Sequence, residues 1–287
     1  MRFEKWQALG NDYLIIEQTE LAFELTPERV QLLCDGHFGI GADGILLLAR
    51  ERDDERAGSL RIFNPDGSEA ELSGNGAREA ALYMHREGWS GGDTFSIATA
   101  AGEIRPTVTA PGHCRIRLGR ASTTSKDFPD GPPDGAGELR AGDRTWRFQH
   151  VSIGNPQCSI YVEQQTGLGE LDLAALGPPI EAHELFPNRT NVSWYADLGD
   201  DRIRARIFER GVGETLSSGT GAAGAAVAHV LRTGGGAREV QVALDGGTLS
   251  IEVGADLEIE QTGWAKPSFA GELSEELLAA LEEPSRR

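Results

Sequence analysis

The sequence predicts an α+β chain of two similar lobes, each a set of short strands and turns around a central helix. Three observations carry this reading. Ser73-Gly74-Asn75-Gly76-Ala77 is echoed by Ser218-Gly219-Thr220-Gly221-Ala222, each with a Glu ahead of it (Glu71, Glu214) and an Ala-rich run behind it. Laying Ser73 on Ser218 also matches the turns, helix patterns and flanking strand patterns, which favours a duplicated unit over a coincidence of Gly-rich turns. At 287 residues the chain is long enough for two cores.

Along the first half, Phe3–Leu9 and Tyr13–Ile16 have strand character. Thr26 to Asp35 reads as a helix, with Thr26 at the N-cap, Pro27 at the first position and Glu28 in the first turn. Gly44–Leu48 and Leu60–Phe63 are apolar runs of strand length, and Ala77–His85 fits a buried helix. The Pro- and Gly-rich stretch Ser125–Gly137 reads as a loop or linker. Beyond it, Phe148–Ser152, Cys158–Val162 and Ile203–Phe208 are expected strands. Gly221–Arg232 is the second helix, closed by Gly234-Gly235-Gly236. Val240–Leu244 and Leu249–Val253 return as strands, and Ser274–Glu283 is a terminal helix capped by Ser274. The expected lobes are 1–124 and 125–267, with the segment 268–287 packing back on the first.

The formal charge of −18 excludes a nucleic-acid partner, which needs a basic face. A small anion held by one placed Arg remains compatible with it. The three lysines, Lys5, Lys126 and Lys266, lie outside any Gly-rich motif, so neither a P-loop nor a pyridoxal Schiff base is expected. Cys34, Cys114 and Cys158 lack metal-like spacing and read as core residues, and the six histidines are scattered, so no metal site is expected. No membrane span and no signal-peptide core is seen, and the cytoplasm is the expected location. Two stretches match G-x-G-x-x-G, Gly39–Gly44 and Gly219–Gly224. The first lacks a following helix and the second a preceding strand, so a nucleotide cofactor is not expected.

Each echoed motif places a small hydroxyl residue and a Gly-rich turn ahead of a helix pattern. Backbone N–H groups and the helix dipole make such a place an anion cradle. Ser73 and Ser218 equally suit plain N-caps. Asn11, Asn64, Asn155 and Asn191 would singly be turn formers, and Glu209-Arg210 a surface pair. Together they suit an amino-acid head group: Arg grips a carboxylate by two hydrogen bonds, Glu takes an ammonium, and the amides complete both.

The ordered motifs LGND, GIGADG, FNPDGSEAELSGNGAR, GNPQ, TNV and ERGVGETLSSGTGAA resemble those of the diaminopimelate epimerase family, from residue 9 to about 230. The resemblance implies two pseudo-symmetric lobes, each a mixed β-sheet or barrel around a central helix, with the active site in the cleft between them. It implies cofactor-independent proton transfer at an α-carbon by two cysteine thiolates on opposite faces. Ser73 and Ser218 occupy both cysteine positions here, and Gln157 stands where the family usually has His. A serine hydroxyl is far less acidic than a thiol and needs an adjacent base. Loss of the histidine with both cysteines points to natural divergence. By the same resemblance, Asn11, Asn64, Asn155, Asn191, Glu209 and Arg210 hold the non-reacting end of the substrate, and the backbone N–H groups of Gly74-Asn75 and Gly219-Thr220 hold the carboxylate at the reacting centre.

The expected function is therefore a pyridoxal-independent isomerase of an amino-acid-like substrate or related dicarboxylate, with Ser73, Ser218 and Glu209 as acid/base candidates and no cofactor. Active diaminopimelate epimerase, an allylic double-bond isomerase and an inactive amino-acid-binding homologue stay open beside it. Asp12, Asp43, Glu69 and Glu209 are the candidate carboxyl bases, and the sequence does not choose among them. A homodimer is compatible with the reading.

Overall fold

A computed structural model describes residues 1–51, 56–71 and 73–282. It divides into two compact units, Met1–Ile116 with Gly263–Arg287, and Arg117–Thr262. The expected boundaries, 124/125 and 267/268, lie a few residues further along the chain.

The first unit opens with strands β1 (Arg2–Ala8) and β2 (Asn11–Glu17), a single 3-10 turn (Gln18–Glu20) and helix α1 (Pro27–Cys34). Strands β3 (Ile45–Arg50), β4 (Arg56–Phe63) and β5 (Glu69–Ala70) lead into α2 (Gly74–Arg86). Then come β6 (Ser96–Thr99), β7 (Gly102–Ile104), β8 (Thr107–Ala110) and β9 (His113–Arg120), along which the chain passes into the second unit. There follow β10 (Ala136–Ala141), β11 (Arg144–Ser152), β12 (Pro156–Tyr161), α3 (Gln165–Gly169), α4 (Leu173–Glu181), β13 (Asn191–Gly199), β14 (Arg202–Glu209) and β15 (Gly213–Thr215). Helix α5 (Gly219–Arg232) and strands β16 (Arg238–Leu244), β17 (Gly247–Val253) and β18 (Glu258–Trp264) complete that series. β19 (Lys266–Glu272) and α6 (Glu275–Glu282) belong to the first unit. Ser274 caps α6 by accepting from Leu277 N at 3.2 Å. Glu283 and the remainder of the expected C-terminal segment lie outside the described residues.

Both sheets have the same strand order. The first runs β19-β1-β2-β3-β4-β6-β7 with β5 paired to β4, and the second contains β10-β11-β12-β13-β14-β16-β17 with β15 paired to β14. The directions match as well. β2 and β3 are parallel, as are β12 and β13, and β4 runs parallel to β6 as β14 does to β16. The expected mixed sheets and duplicated unit are therefore present as one topology used twice.

Each sheet curls about its own helix. α5 packs against β11 to β14, β16 and β17, and α2 packs against β1 to β4. The Ala-rich sequences explain this, since small side chains let strands approach a helix on every side. From Gly221 to Val230 all of α5 is buried. Gly leaves room where β14 lies close to α5: a Cβ on Gly221 would lie 2.8 Å from Ile207 Cδ1. A second core in the first unit joins Leu14, Ile16, Leu33, Ile45 and Phe63 to Leu273 and Leu281, so the C-terminal strand and helix complete a core begun by the N-terminus. Among the described residues no helix is long and apolar enough to cross a membrane.

Candidate active site

In the second unit the candidate residues gather around the end of β14. The chain leaves Glu209, turns through Arg210-Gly211-Val212 with Val212 N donating to Glu209 O at 3.0 Å, and comes back as β15. This hairpin returns Thr215 to the Glu209 side chain, where its hydroxyl donates to Oε1 at 2.8 Å. Three residues later the Ser218 hydroxyl donates to Oε2 at 2.9 Å. Ser218 is also the N-cap of α5, accepting from Gly221 N at 3.3 Å. Its cap role and its pairing with a carboxylate coexist, because the oxygen accepts one hydrogen bond and donates another.

Burial pushes the Glu209 carboxyl above its ordinary value, and the two hydroxyl donors only partly offset this. Of the four carboxyls the sequence left open, this is the one bonded to a candidate serine. Glu69 is held by two hydrogen bonds from Arg61 at 2.9 and 2.8 Å, Asp12 pairs with Lys5 Nζ at 3.0 Å, and Asp43 accepts from Asn11 Nδ2 at 2.8 Å and Asp12 N at 3.0 Å.

Around α5's first turn, Asn155 Nδ2 donates to Thr220 Oγ1 at 3.2 Å, and Gln157 Nε2 donates to Asn155 Oδ1 at 2.8 Å. Gln261 Nε2 donates to Gly219 O at 2.9 Å from β18. Asn191 is buried and spends its amide on the backbone: its oxygen accepts from Arg210 N at 2.9 Å and its nitrogen donates to Pro156 O at 3.1 Å. That bond shapes the turn that carries Arg210. The Arg210 side chain is exposed, its Nη1 donating to Asn188 O at 2.9 Å, and no salt bridge is formed to it among the described residues.

In the first unit Ser73 caps α2, accepting from Gly76 N at 3.1 Å and from the Tyr13 hydroxyl at 3.2 Å. No carboxylate reaches Ser73 among the described residues. Asn75, buried on the first turn, donates through Nδ2 to Asn11 Oδ1 at 3.2 Å and accepts from Arg78 Nη2. Asn11 in turn is fixed by Asp43. Thus Asn75, Asn11 and Asp43 form one bonded group, next in the chain to Ser73 and Gly74. Asn64 stands apart from it: its Nδ2 donates to Ser68 Oγ at 3.0 Å within a turn that Asn64 N closes on Ser68 O at 2.8 Å. The bland turn-former reading describes the bonds this Asn makes.

Tyr13 and Thr215 were not foreseen. Thr215 had a signal, since Gly211 and Gly213 mark a hairpin that brings position 215 back to 209. Tyr13 had none, because its partner is 60 residues away. No cysteine substitutes for the missing thiols. Burial pushes Cys34 and Cys114 up to about 12 and Cys158 well above its ordinary value, leaving all three protonated near neutrality. The Gly39–Gly44 stretch is a turn folded over the end of α1, with Gly39 N, Ile40 N and Gly41 N bonded back to Asp35 O and Leu33 O. Its glycines serve that close approach: a Cβ on Gly39 would overlap Leu32 O.

The profile of the diaminopimelate epimerase family matches residues 3–124 and 149–267. A diaminopimelate epimerase of Thermosynechococcus vestitus is 40% identical, covering 95% of this chain and 99% of that protein. One of Moorella thermoacetica is 39% identical over 95% and 99%. Among solved structures, a phenazine biosynthesis protein of the PhzF family from Bacillus anthracis superposes with a TM-score of 0.69 at 17% identity, covering 96% of this chain and 99% of that one. That last likeness extends the shared fold beyond recognisable sequence. With the family motifs at both helix N-termini and the family profile over both units, the chain belongs to the diaminopimelate epimerase family.

Proposed function

We propose that the protein is a cofactor-independent isomerase that moves a proton on a substrate with an L-amino-acid head group, using Glu209 as the base and Ser218 as the hydroxyl through which it acts. The single observation that carries this is the Ser218–Glu209 pair. A serine is a poor proton acceptor unless a base lies within hydrogen-bond reach, and Glu209 lies 2.9 Å away with its carboxyl raised by burial. A carboxylate whose pKa is raised holds a proton more strongly and is the better base. The N–H groups of Gly219 and Thr220 at the start of α5 supply the place for the substrate carboxylate. Asn155 and Arg210, of the same unit, are the further groups we assign to the head group. Asn64 and Asn191 enter the proposal as supports of loops rather than as contacts.

The family profile and the relatives' names make LL-diaminopimelate the first substrate to test. Incubation in D2O, followed by NMR of the α-proton, should show exchange without added cofactor. Binding by calorimetry with no exchange would mean a protein that holds the amino acid without chemistry.

One observation favours a second reading. Among the described residues Ser73 has Tyr13 and no carboxylate beside it, so the two serines are chemically unequal. Two-base epimerisation wants a competent group on each face. A one-base reaction, in which a proton leaves and returns by way of Glu209 while a double bond shifts, needs only the second unit's pair. Epimerisation of LL-diaminopimelate at a rate comparable to its exchange would rule that reading out, and exchange with retained configuration would support it.

A further inference from the structure

We infer that Gln157 is a positioning residue that sets the direction of a hydrogen-bond relay and thereby turns the Thr220 hydroxyl into a donor for an anionic head group. The inference rests on the reading of the α5 N-terminus as the carboxylate cradle. The relay has two links: Gln157 Nε2–H to Asn155 Oδ1 at 2.8 Å, and Asn155 Nδ2–H to Thr220 Oγ1 at 3.2 Å. Asparagine and glutamine amides could in principle run the series either way. Run in reverse, Thr220 would donate to Asn155, and Asn155 to the Gln157 oxygen.

Burial decides between the two directions. Gln157 is fully buried, and its Oε1 has no hydrogen-bond partner among the described residues. Reversal would satisfy that oxygen but leave the whole NH2 group unbonded in the interior. Interiors tolerate an unsatisfied carbonyl better than unsatisfied N–H groups. Gln157 packs directly on α5, where a Cβ on Gly224 would lie 2.8 Å from Gln157 Cβ.

With the Asn155 N–H donated to it, Thr220 Oγ1 must send its own proton elsewhere. Among the described residues it donates to none, and Thr220 is half-buried at the second position of α5, open to solvent on one side. An acceptor from outside completes it: a carboxylate oxygen, not an ammonium. Because an amide does not titrate, Gln157 holds this polarity at every pH where the protein is folded. An imidazole at this position would change its proton count near neutrality.

The test is calorimetry of LL-diaminopimelate binding to the full chain as wild type, Gln157→Met, Thr220→Val and the double variant, each first checked for a wild-type thermal melt. Thr220→Val should weaken binding about tenfold, the worth of one hydrogen bond to a charged group. Gln157→Met should weaken it about threefold in the wild-type background and by nothing further in the Thr220→Val background, because its effect passes through that hydroxyl. An equal loss in both backgrounds would overturn the relay. If the wild type does not bind LL-diaminopimelate, the proposed function fails on its own account. Neutron diffraction from the free, deuterated protein then decides the relay. Asn155 Nδ2 deuterons facing Thr220, with the Thr220 deuteron turned outward, support it, and Asn155 Oδ1 facing Thr220 overturns it.

Discussion

At the scale of single residues, the serines that replace the family's thiols have two jobs with separable consequences. Both are N-caps, so Ser73→Ala and Ser218→Ala should each lower stability by roughly 0.5–2 kcal/mol, read by urea denaturation. Only Ser218 is also bonded to Glu209, so only its loss should in addition disturb the carboxyl beside it. Glu79 makes the clearest pH prediction. It lies in α2 with no exposure, neither of its carboxylate oxygens has a hydrogen-bond partner among the described residues, and burial pushes it well above its ordinary value despite Arg78 beside it. A group whose pKa is raised on folding stays protonated in the native state while the unfolded chain loses its proton. Stability should therefore fall as pH rises above about 4.5, and Glu79→Gln should flatten that fall in thermal melts taken from pH 4.5 upward. A pH slope unchanged by Glu79→Gln would count against a buried neutral acid. The candidate Asn residues were legible in the sequence only as a set. Asn64 and Asn191 have the residue type that head-group recognition needs, and the bonds they make, Asn64 Nδ2 to Ser68 and the Asn191 amide to backbone groups, are decided only by the fold.

Elements were readable where local chemistry and tertiary demand agree. α1 starts where Thr26 and Pro27 place it, and α5 follows its Ala-rich run, opening two residues earlier than expected because Ser218 is the cap. α2 likewise opens at Gly74, directly after its cap Ser73. The miss at α4 has a definite cause. Pro178 and Pro179 lie inside that helix, and prolines signal a break because they lack the N–H and crowd the preceding turn. Packing of Leu173 and Ile180 into the second unit's core outweighs that local preference. The Pro- and Gly-rich stretch read as a loop, Ser125–Gly137, runs two residues into β10, where Ala136 onward pairs with β11. The helix-to-strand contacts also bear on stability. Gly221→Ala would press a methyl against Ile207 Cδ1 and Cγ2, at 2.8 and 2.9 Å, inside a filled interior. A loss of roughly 1–3 kcal/mol is expected in chemical denaturation, although alanine is the better helix former in isolation. No loss would mean that β14 can yield at that point.

For the molecule as a whole, one strand order used twice accounts for the echo between residues 73 and 218. The sequence echo covered the turn and the helix, while the matching strand order emerges only from pairing between distant segments. The role of β19 was hidden for that reason. It lies at the opposite end of the chain from β1, yet Arg2 to Gln7 pair with it, and Leu273 N donates to Met1 O at 3.1 Å. Removing the chain from Lys266 onward should strip the edge from the first sheet and take Leu273 and Leu281 from its core. We expect a lower, broader melt and aggregation through the bared edge of β1, seen by calorimetry and light scattering. A sharp, wild-type transition would show that the first unit does not need its C-terminal strand.

The most direct measurement of the central claim is the pH–rate profile of α-proton exchange with LL-diaminopimelate in D2O, for the wild type and Glu209→Gln. If Glu209 is the base, exchange should rise with pH along a limb centred above the ordinary carboxylate value of about 4.5, then level off. Glu209→Gln should lose that limb and about 10²–10⁴-fold of the rate. A variant that keeps both the limb and the wild-type rate would contradict the account.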